Sequence, residues 1–194
     1  PAPVVTPDIH QRIMDEVINP TVAGMAAEGY PYVGFLYAGL MIMEDGTPKV
    51  IEYNCRFGDP ETQPIMLRLQ SDLVALCLKA CKGELAGTHI DFDPRASVGV
   101  VLAAGGYPGD YAKGKVINGL DDAAKLDGKV FHAGTALNGD DVVTSGGRVL
   151  CATALGNSVT EAQQQAYVLT KAIDWEDVYY RNDIAYRAIA RENS

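Results

Sequence analysis

The densest chemistry in this chain lies between Val50 and Gln63, in the run Val-Ile-Glu-Tyr-Asn-Cys-Arg-Phe-Gly-Asp-Pro-Glu-Thr-Gln. Its first half reads as a β-strand, whose side chains alternate faces with period two. Glu52, Asn54 and Arg56 therefore share one face, and Ile51, Tyr53 and Cys55 the other. A carboxylate and an amide oxygen are hard donors that suit Mg2+, a cation usually held by one or two carboxylates together with substrate phosphates. A guanidinium beside them offers a planar fork that matches phosphate or carboxylate oxygens. Gly58-Asp59-Pro60-Glu61 then turns the chain out of the strand and adds two more carboxylates. The pattern suits a metal-bound, phosphorylated ligand. A polar, solvated sheet face is the other reading that one E-x-N-x-R triplet allows.

These residues need rigid elements to hold them. Tyr32 to Met43 is rich in aliphatic and aromatic residues and reads as a strand buried on both faces. Glu44-Asp-Gly-Thr-Pro48 is a turn, so Lys49 to Cys55 pairs back as the second strand of an antiparallel hairpin. Upstream, the chain is proline-rich from Pro1 to Pro7. Thr6-Pro7-Asp8 is a helix start, with a capping hydroxyl, a first-turn proline and an early acid. Ile9, Ile13 and Val17 recur at helical spacing, Pro20 interrupts or kinks the pattern, and Gly29 closes it. Downstream, Ser71-Asp72 opens a helix whose stripe is Leu73, Leu76, Cys77, Ala80 and Cys81, ended by Gly83.

Gly83 to Ala96 mixes glycine, proline and charge and is the expected boundary, dividing the chain into residues 1–90 and 91–194. Beyond it, Ser97 to Ala104 is a strand that runs into Gly105-Gly-Tyr-Pro-Gly-Asp-Tyr-Ala-Lys-Gly-Lys115. Four glycines and two lysines can approach a phosphate. The spacing matches neither a Walker loop nor a dinucleotide fingerprint, and a glycine-rich hairpin turn is the simpler reading. Short strands follow near Lys129–His132 and Arg148–Leu155. Ser158-Val-Thr-Glu161 is a capping box, and Ala162, Ala166, Leu169 and Ile173 form the buried face of its helix. Arg181 and Asp183 are expected to anchor the tail. The class is α+β, mainly antiparallel.

Composition narrows the function. A net charge of −9 disfavours nucleic acid and anionic membrane as partners, since both need a basic surface. No apolar run reaches the length of a membrane-spanning helix. The four cysteines (Cys55, Cys77, Cys81 and Cys151) lack zinc or disulfide spacing and read as reduced and mostly buried, as in cytoplasm. His10, His89 and His132 form no metal pattern. The start at Pro1 suggests a fragment or a processed product.

The octet Arg56-Phe-Gly-Asp-Pro-Glu-Thr-Gln63, preceded by Glu-Tyr-Asn, closely resembles the signature of the phosphoribosylamine–glycine ligase (glycinamide ribonucleotide synthetase) family of ATP-grasp enzymes. Pro1-Ala-Pro-Val-Val-Thr, Tyr37-Ala-Gly-Leu-Met, Gly105-Gly-Tyr-Pro-Gly, Val130-Phe-His-Ala-Gly-Thr135 and Tyr180-Arg-Asn-Asp-Ile184 resemble further landmarks of that family in the same order. The resemblance implies the C-terminal half of an ATP-grasp domain, an antiparallel sheet with helices, followed by a small α+β C-terminal domain. It implies ATP, glycine and 5-phosphoribosylamine as ligands, Mg2+ or Mn2+ as the cation, and glycyl phosphate as intermediate. Carried over by position, Glu52 and Asn54 are metal ligands and Arg56 is the catalytic cation. Gly58, Asp59 and Glu61 shape a substrate pocket. Many ATP-grasp enzymes carry another acid on the preceding strand, where this chain has Gly39. The family chain is about twice as long, so the resemblance also implies a missing N-terminal half and no turnover by this chain alone. A different ATP-grasp carboxylate–amine ligase and a non-catalytic module derived from the fold are the alternatives.

Overall fold

The computed structural model describes residues 3–193. Pro1 and Ala2 of the proline-rich opening lie outside them. The chain up to Asp59 forms one compact unit with Gln70–Phe92, and Pro60–Leu69 forms the other with the chain from Asp93 onward. The crossing thus falls inside the Gly-Asp-Pro-Glu turn, with a return excursion at Leu69–Asp93.

In the first unit, Thr6 Oγ1 accepts the Ile9 amide at 3.3 Å and Pro7 occupies the first turn of α1 (Pro7–Ile13). The helix runs through a π-type turn, Met14–Ile18, into α2 (Asn19–Ala27). Pro20 lies in the first turn of α2, where its missing N–H costs least. The expected interruption is therefore a change of hydrogen bonding and not a break. β1 (Tyr37–Ile42) and β2 (Pro48–Asn54) form the expected antiparallel hairpin. The helical segment lies across one of its faces. Arg12 donates to Asp45 O at 3.2 Å and Thr47 Oγ1 at 3.3 Å, and Thr21 and Tyr53 share a hydroxyl hydrogen bond at 2.8 Å.

Two expectations fail here. The strand read across Tyr32–Met43 begins only at Tyr37, and it is not buried on both faces: Met41 is exposed and the other five residues of β1 are half-buried. Aliphatic density signals burial only where another layer covers it, and one helical segment cannot cover two faces of a hairpin. The cysteines are not mostly buried either: Cys55 and Cys81 are exposed, Cys77 is half-buried and Cys151 is buried, all four as free thiols. The helix carrying Cys77 and Cys81, α4 (Leu73–Lys82), starts where read, with Asp72 Oδ1 accepting the Val74 and Ala75 amides at 2.8 and 3.0 Å.

The second unit is built on a sheet of order β3-β7-β4, with β3 Ala96–Ala103, β7 Arg148–Gly156 and β4 Lys129–His132, all antiparallel. The short α5 (Leu120–Ala123) precedes β4. On one face, Val98, Val100, Leu102, Ala152 and Ala154 pack against Ala162, Ala166 and Leu169 of α6 (Val159–Lys171), and Ile173 and Trp175 close the core. The other face carries Gly99, Cys151 and Thr153 and receives α3 (Thr62–Arg68). Ser158 Oγ accepts the Glu161 amide at 3.0 Å as the capping box requires, while the Glu161 carboxylate reaches one residue further back, to the Asn157 amide at 2.7 Å.

A hairpin of β5 (Thr135–Asn138) and β6 (Asp141–Thr144) and a last helix, α7 (Tyr186–Glu192), were not read from the sequence. Glu192 of α7 accepts the Val159 and Thr160 amides at 2.8 and 3.3 Å, so one carboxylate satisfies two orphan donors of α6. Those backbone donors hold its carboxyl below the usual range. Arg181 and Asp183, expected to anchor the tail, are exposed and form an ion pair at 2.7 Å only with each other among the described residues; the Tyr167 hydroxyl donates to Arg181 O at 2.7 Å. Among the described residues, no helix is long and apolar enough to cross a membrane.

Asp93, the first residue after the crossing, is buried and accepts Arg95 Nε and Nη2 at 3.0 and 2.7 Å. The side-chain bond from Arg95 is the larger cause that lowers its carboxyl from 3.8 to about 2. A carboxyl lowered by folding stabilises the fold above its unfolded pKa and loses that contribution as pH falls through the folded one. The melting temperature of the wild type should therefore exceed that of Asp93→Asn by a constant margin at neutral pH, and the margin should shrink as pH falls from about 4 toward about 2. Thermal melts across that range check it, and a margin independent of pH contradicts it.

Candidate functional site

Glu52 and Asn54 lie on β2 with one residue between them, and the pleat points both away from Tyr53, whose hydroxyl meets the helical segment. Their side chains converge: Asn54 Nδ2 donates to Glu52 Oε1 at 3.3 Å. An amide's oxygen and nitrogen are assigned from hydrogen bonding. Turning this amide over presents Oδ1 and Oε1 side by side, two hard donors of the kind Mg2+ takes. The donor set fits a cation in that sense, and it is a sparse set. Among the described residues, no three His, Cys, Asp or Glu side chains gather in a metal-binding arrangement. A cation here would depend on ligand and water oxygens for the rest of its shell.

The strand opposite explains the sparseness. Gly39 of β1 pairs with Glu52 in the hairpin register, at the edge of a bulge between Gly39 and Leu40. A Cβ on Gly39 would stand 3.0 Å from Glu52 Cγ and 3.7 Å from Glu52 Oε1. The absence of a side chain at 39 therefore does two things. It leaves no donor opposite Glu52, where the resemblance points to a further acid, and it gives the Glu52 side chain room to lie over β1.

Arg56 does not extend this face. β2 ends at Asn54, and Arg56 lies in the bend beyond it, with Nη1 donating to Phe57 O at 3.1 Å. No hydrogen bond among the described residues joins it to Glu52 or Asn54. The strict alternation expected across Glu52, Asn54 and Arg56 thus holds for two of the three. Phe57 stacks on Phe35 with ring centroids 4.1 Å apart, which fixes the chain as it leaves the bend. Gly58 is buried, and Asp59 is exposed at the end of the first unit. Glu61 is exposed in the second unit, as the residue that caps α3 without a side-chain capping bond. Of the three residues expected to shape a substrate pocket, Gly58 and Asp59 thus belong to the first unit and Glu61 to the second.

The glycine-rich stretch after β3 is an irregular loop and not a hairpin turn. Tyr107 lies on Gly147, where a Cβ would come within 2.2 Å of its ring, and the Arg148 guanidinium stands 5.9 Å from the ring centroid. Lys115 pairs with Glu176, which raises the lysine's pKa and lowers the carboxyl's through their shared hydrogen bond. Lys113 stands 6.0 Å from the Tyr111 ring centroid. His89 and His132 meet Asp91 and Thr135 at 3.0 Å each, local contacts with no metal geometry. The close approach of Pro64 to Gly99 is not foreseen from the sequence, although a glycine inside a run of valines commonly marks a close approach of another element.

The comparisons with known proteins agree with these elements. The ATP-grasp (A) domain profile of phosphoribosylglycinamide synthetase matches residues 1–62, and the C domain profile of the same enzyme matches residues 97–187. The phosphoribosylamine–glycine ligase of Vibrio cholerae is 69% identical over 194 residues, covering 100% of this chain and 45% of that protein. The enzyme of the same name from Escherichia coli is 65% identical, covering 100% and 46%. The crystal structure of the Thermotoga maritima phosphoribosylamine–glycine ligase superposes with a TM-score of 0.77 at 37% identity, over 92% of this chain and 44% of that one. N5-carboxyaminoimidazole ribonucleotide synthetase from the same organism, 15% identical with a TM-score of 0.51, shares the fold. The class is thus that of ATP-grasp folds with an α+β C domain. Within it, the chain belongs to the phosphoribosylglycinamide synthetase family and corresponds to a C-terminal portion of the enzyme. It spans about 45% of the length of the curated relatives it matches.

The Gly39–Glu52 contact can be tested by crowding it. Gly39→Ala should turn the Glu52 side chain away from Asn54 and weaken Mn2+ binding in the presence of nucleotide by about tenfold, or about 1.4 kcal/mol. A paramagnetic titration of the full-length protein measures this. Unchanged affinity would show that Glu52 does not hold the cation in its present position.

Proposed function

We propose that this chain works as part of a longer polypeptide, a phosphoribosylamine–glycine ligase that joins glycine to 5-phosphoribosylamine with cleavage of ATP to ADP and phosphate. The product is glycinamide ribonucleotide, a precursor in purine synthesis. The observation that carries the reading is sequence identity of 65–69% across the whole chain to enzymes of that name. The convergent Glu52–Asn54 pair on β2 supports it. In this reading residues 1–90 complete an ATP-grasp domain and residues 91–194 form the C-terminal domain. The relatives' remaining length supplies the other half of the active site, and the enzyme works in the cytoplasm.

The chemistry follows from the poor electrophilicity of a carboxylate. Transfer of the terminal phosphoryl group of ATP to a glycine carboxylate oxygen makes glycyl phosphate and releases ADP. The amine of phosphoribosylamine then attacks the acyl carbon, phosphate leaves, and the amine gives up a proton as the amide forms. Glu52 and Asn54 would hold Mg2+ or Mn2+, which when bound would offset the negative charge of the nucleotide phosphates. Arg56, at the exit of the strand, stabilises the charge of the transferring phosphoryl group through its guanidinium. Gly58, Asp59 and Glu61 would shape the pocket for glycine or the amine, the two carboxylates accepting from an ammonium or amine.

The test is release of ADP that depends on both glycine and phosphoribosylamine. The full-length polypeptide should show it. The 194-residue chain alone should not, because it spans only about 45% of the length of the relatives it matches. Glu52→Ala in the full-length protein should lower kcat/KM by about a hundredfold or more, about 2.7 kcal/mol of transition-state stabilisation, with an unchanged melting temperature. ADP release independent of glycine contradicts the reaction, and unaltered kinetics in Glu52→Ala remove Glu52 from it.

A further inference from the structure

We propose that Gly99, on the sheet of the second unit, is a positioning residue for Glu61 and acts through α3; the proposal rests on the ligase reading above. α3 has seven residues, about two turns, and its N-cap makes no side-chain hydrogen bond. A helix that short does not hold itself together in water. What fixes it is the sheet beneath. A Cβ on Gly99 would stand 3.2 Å from Pro64 Cγ of α3, 2.9 Å from Cys151 Sγ and 3.3 Å from Thr153 Oγ1. Gly99 and Thr153 are register partners of β3 and β7, and Cys151 and Thr153 are fully buried, with Cys151 Sγ and Thr153 Oγ1 3.4 Å apart.

The far end of α3 is held as well. Arg68 O accepts the Asp93 amide at 2.7 Å, and Arg68 Nε donates to Asp93 O at 3.0 Å. Asp93 is in turn locked by Arg95. The helix is thus clamped by Pro64 on Gly99 at its start and by Arg68 on Asp93 at its end. Glu61 stands one residue before the first turn, and its carbonyl accepts the Ile65 amide at 3.3 Å. Among the described residues nothing hydrogen-bonds its carboxylate. Its position is therefore set by the backbone of α3, and the height of α3 over the sheet is set by how small residue 99 is. Interiors packed to crystal density transmit such changes and do not absorb them.

The contacts suggest a substitution series that separates pushing the helix from spoiling the core. Cys151→Ala removes the closest obstruction, so in that background a methyl at 99 has Pro64 and Thr153 Oγ1 left to meet. In steady-state assays of the full-length enzyme, Cys151→Ala alone should behave as wild type. Gly99→Ala with Cys151→Ala should raise KM for glycine or for phosphoribosylamine by about three- to tenfold, as a displacement well short of 1 Å implies, while KM for ATP stays the same. Adding Pro64→Ala should restore the lower KM. A fall in melting temperature with every KM unchanged, or a raised KM that Pro64→Ala does not restore, overturns the proposal. Should the double variant not fold, Pro64→Ala alone, which slackens the clamp from the helix side, should raise the same KM, and an unchanged value there overturns it too. Wild-type enzyme without glycine-dependent turnover overturns the ligase reading itself; wild-type turnover with indifferent variants overturns only the role of Gly99.

Discussion

The antiparallel pairing of β3 with β7 is the constraint on which most of this structure depends. The ladder runs from Ala96–Gly156 to Ala103–Arg148 and gives a platform with two usable faces. One face is filled by Val100, Leu102 and Ala152 against Ala162, Ala166 and Leu169, all at or near zero exposure. Truncation at any of the large ones would cost about 2–5 kcal/mol. The other face is kept shallow by Gly99, Cys151 and Thr153, and the segment Pro60–Leu69 joins the second unit by lying there. Without that platform, α3 would have no reason to be helical and Glu61 no fixed place.

The first unit solves a different problem, how to present oxygens on a strand. Period two puts Glu52 and Asn54 side by side, the helical segment takes the opposite face through Thr21 and Tyr53, and Gly39 leaves space beneath Glu52. The chain carries a net charge of −9, so attraction for a phosphorylated ligand has to be local. In the function proposed above, a cation held by Glu52 and Asn54 and the guanidinium of Arg56 beyond the strand end would supply it.

Features encoded over a few residues were legible in the sequence. Thr6, Asp72 and Ser158 cap the helices they were read to cap, and the β1–β2 hairpin follows from its turn residues. The Gly139-Asp140 turn of the β5–β6 hairpin is also a local signal of this kind. Features that depend on what covers an element were not legible. The aliphatic stretch Tyr32–Met43 looks like a buried strand and is half-exposed, and Cys81 sits on an apolar stripe yet faces outward. At the site, Glu52 and Asn54 were readable because alternation persists to Asn54. Arg56 falls off the face because the strand stops at Asn54, two residues before the pattern does. The dependence of α3 on Gly99 and Asp93 joins residues some thirty positions apart, which no local pattern records.

The central claim is that a carboxylate is activated by phosphorylation at a site to which this chain contributes the cation side. The most direct measurement is the fate of the carboxylate oxygen. Glycine labelled with 18O in its carboxylate, turned over by the full-length enzyme with ATP and phosphoribosylamine, should deliver one labelled oxygen into inorganic phosphate per amide formed, because the acyl–oxygen bond breaks when glycyl phosphate is consumed. Inorganic phosphate free of label, with both oxygens accounted for elsewhere, would contradict it.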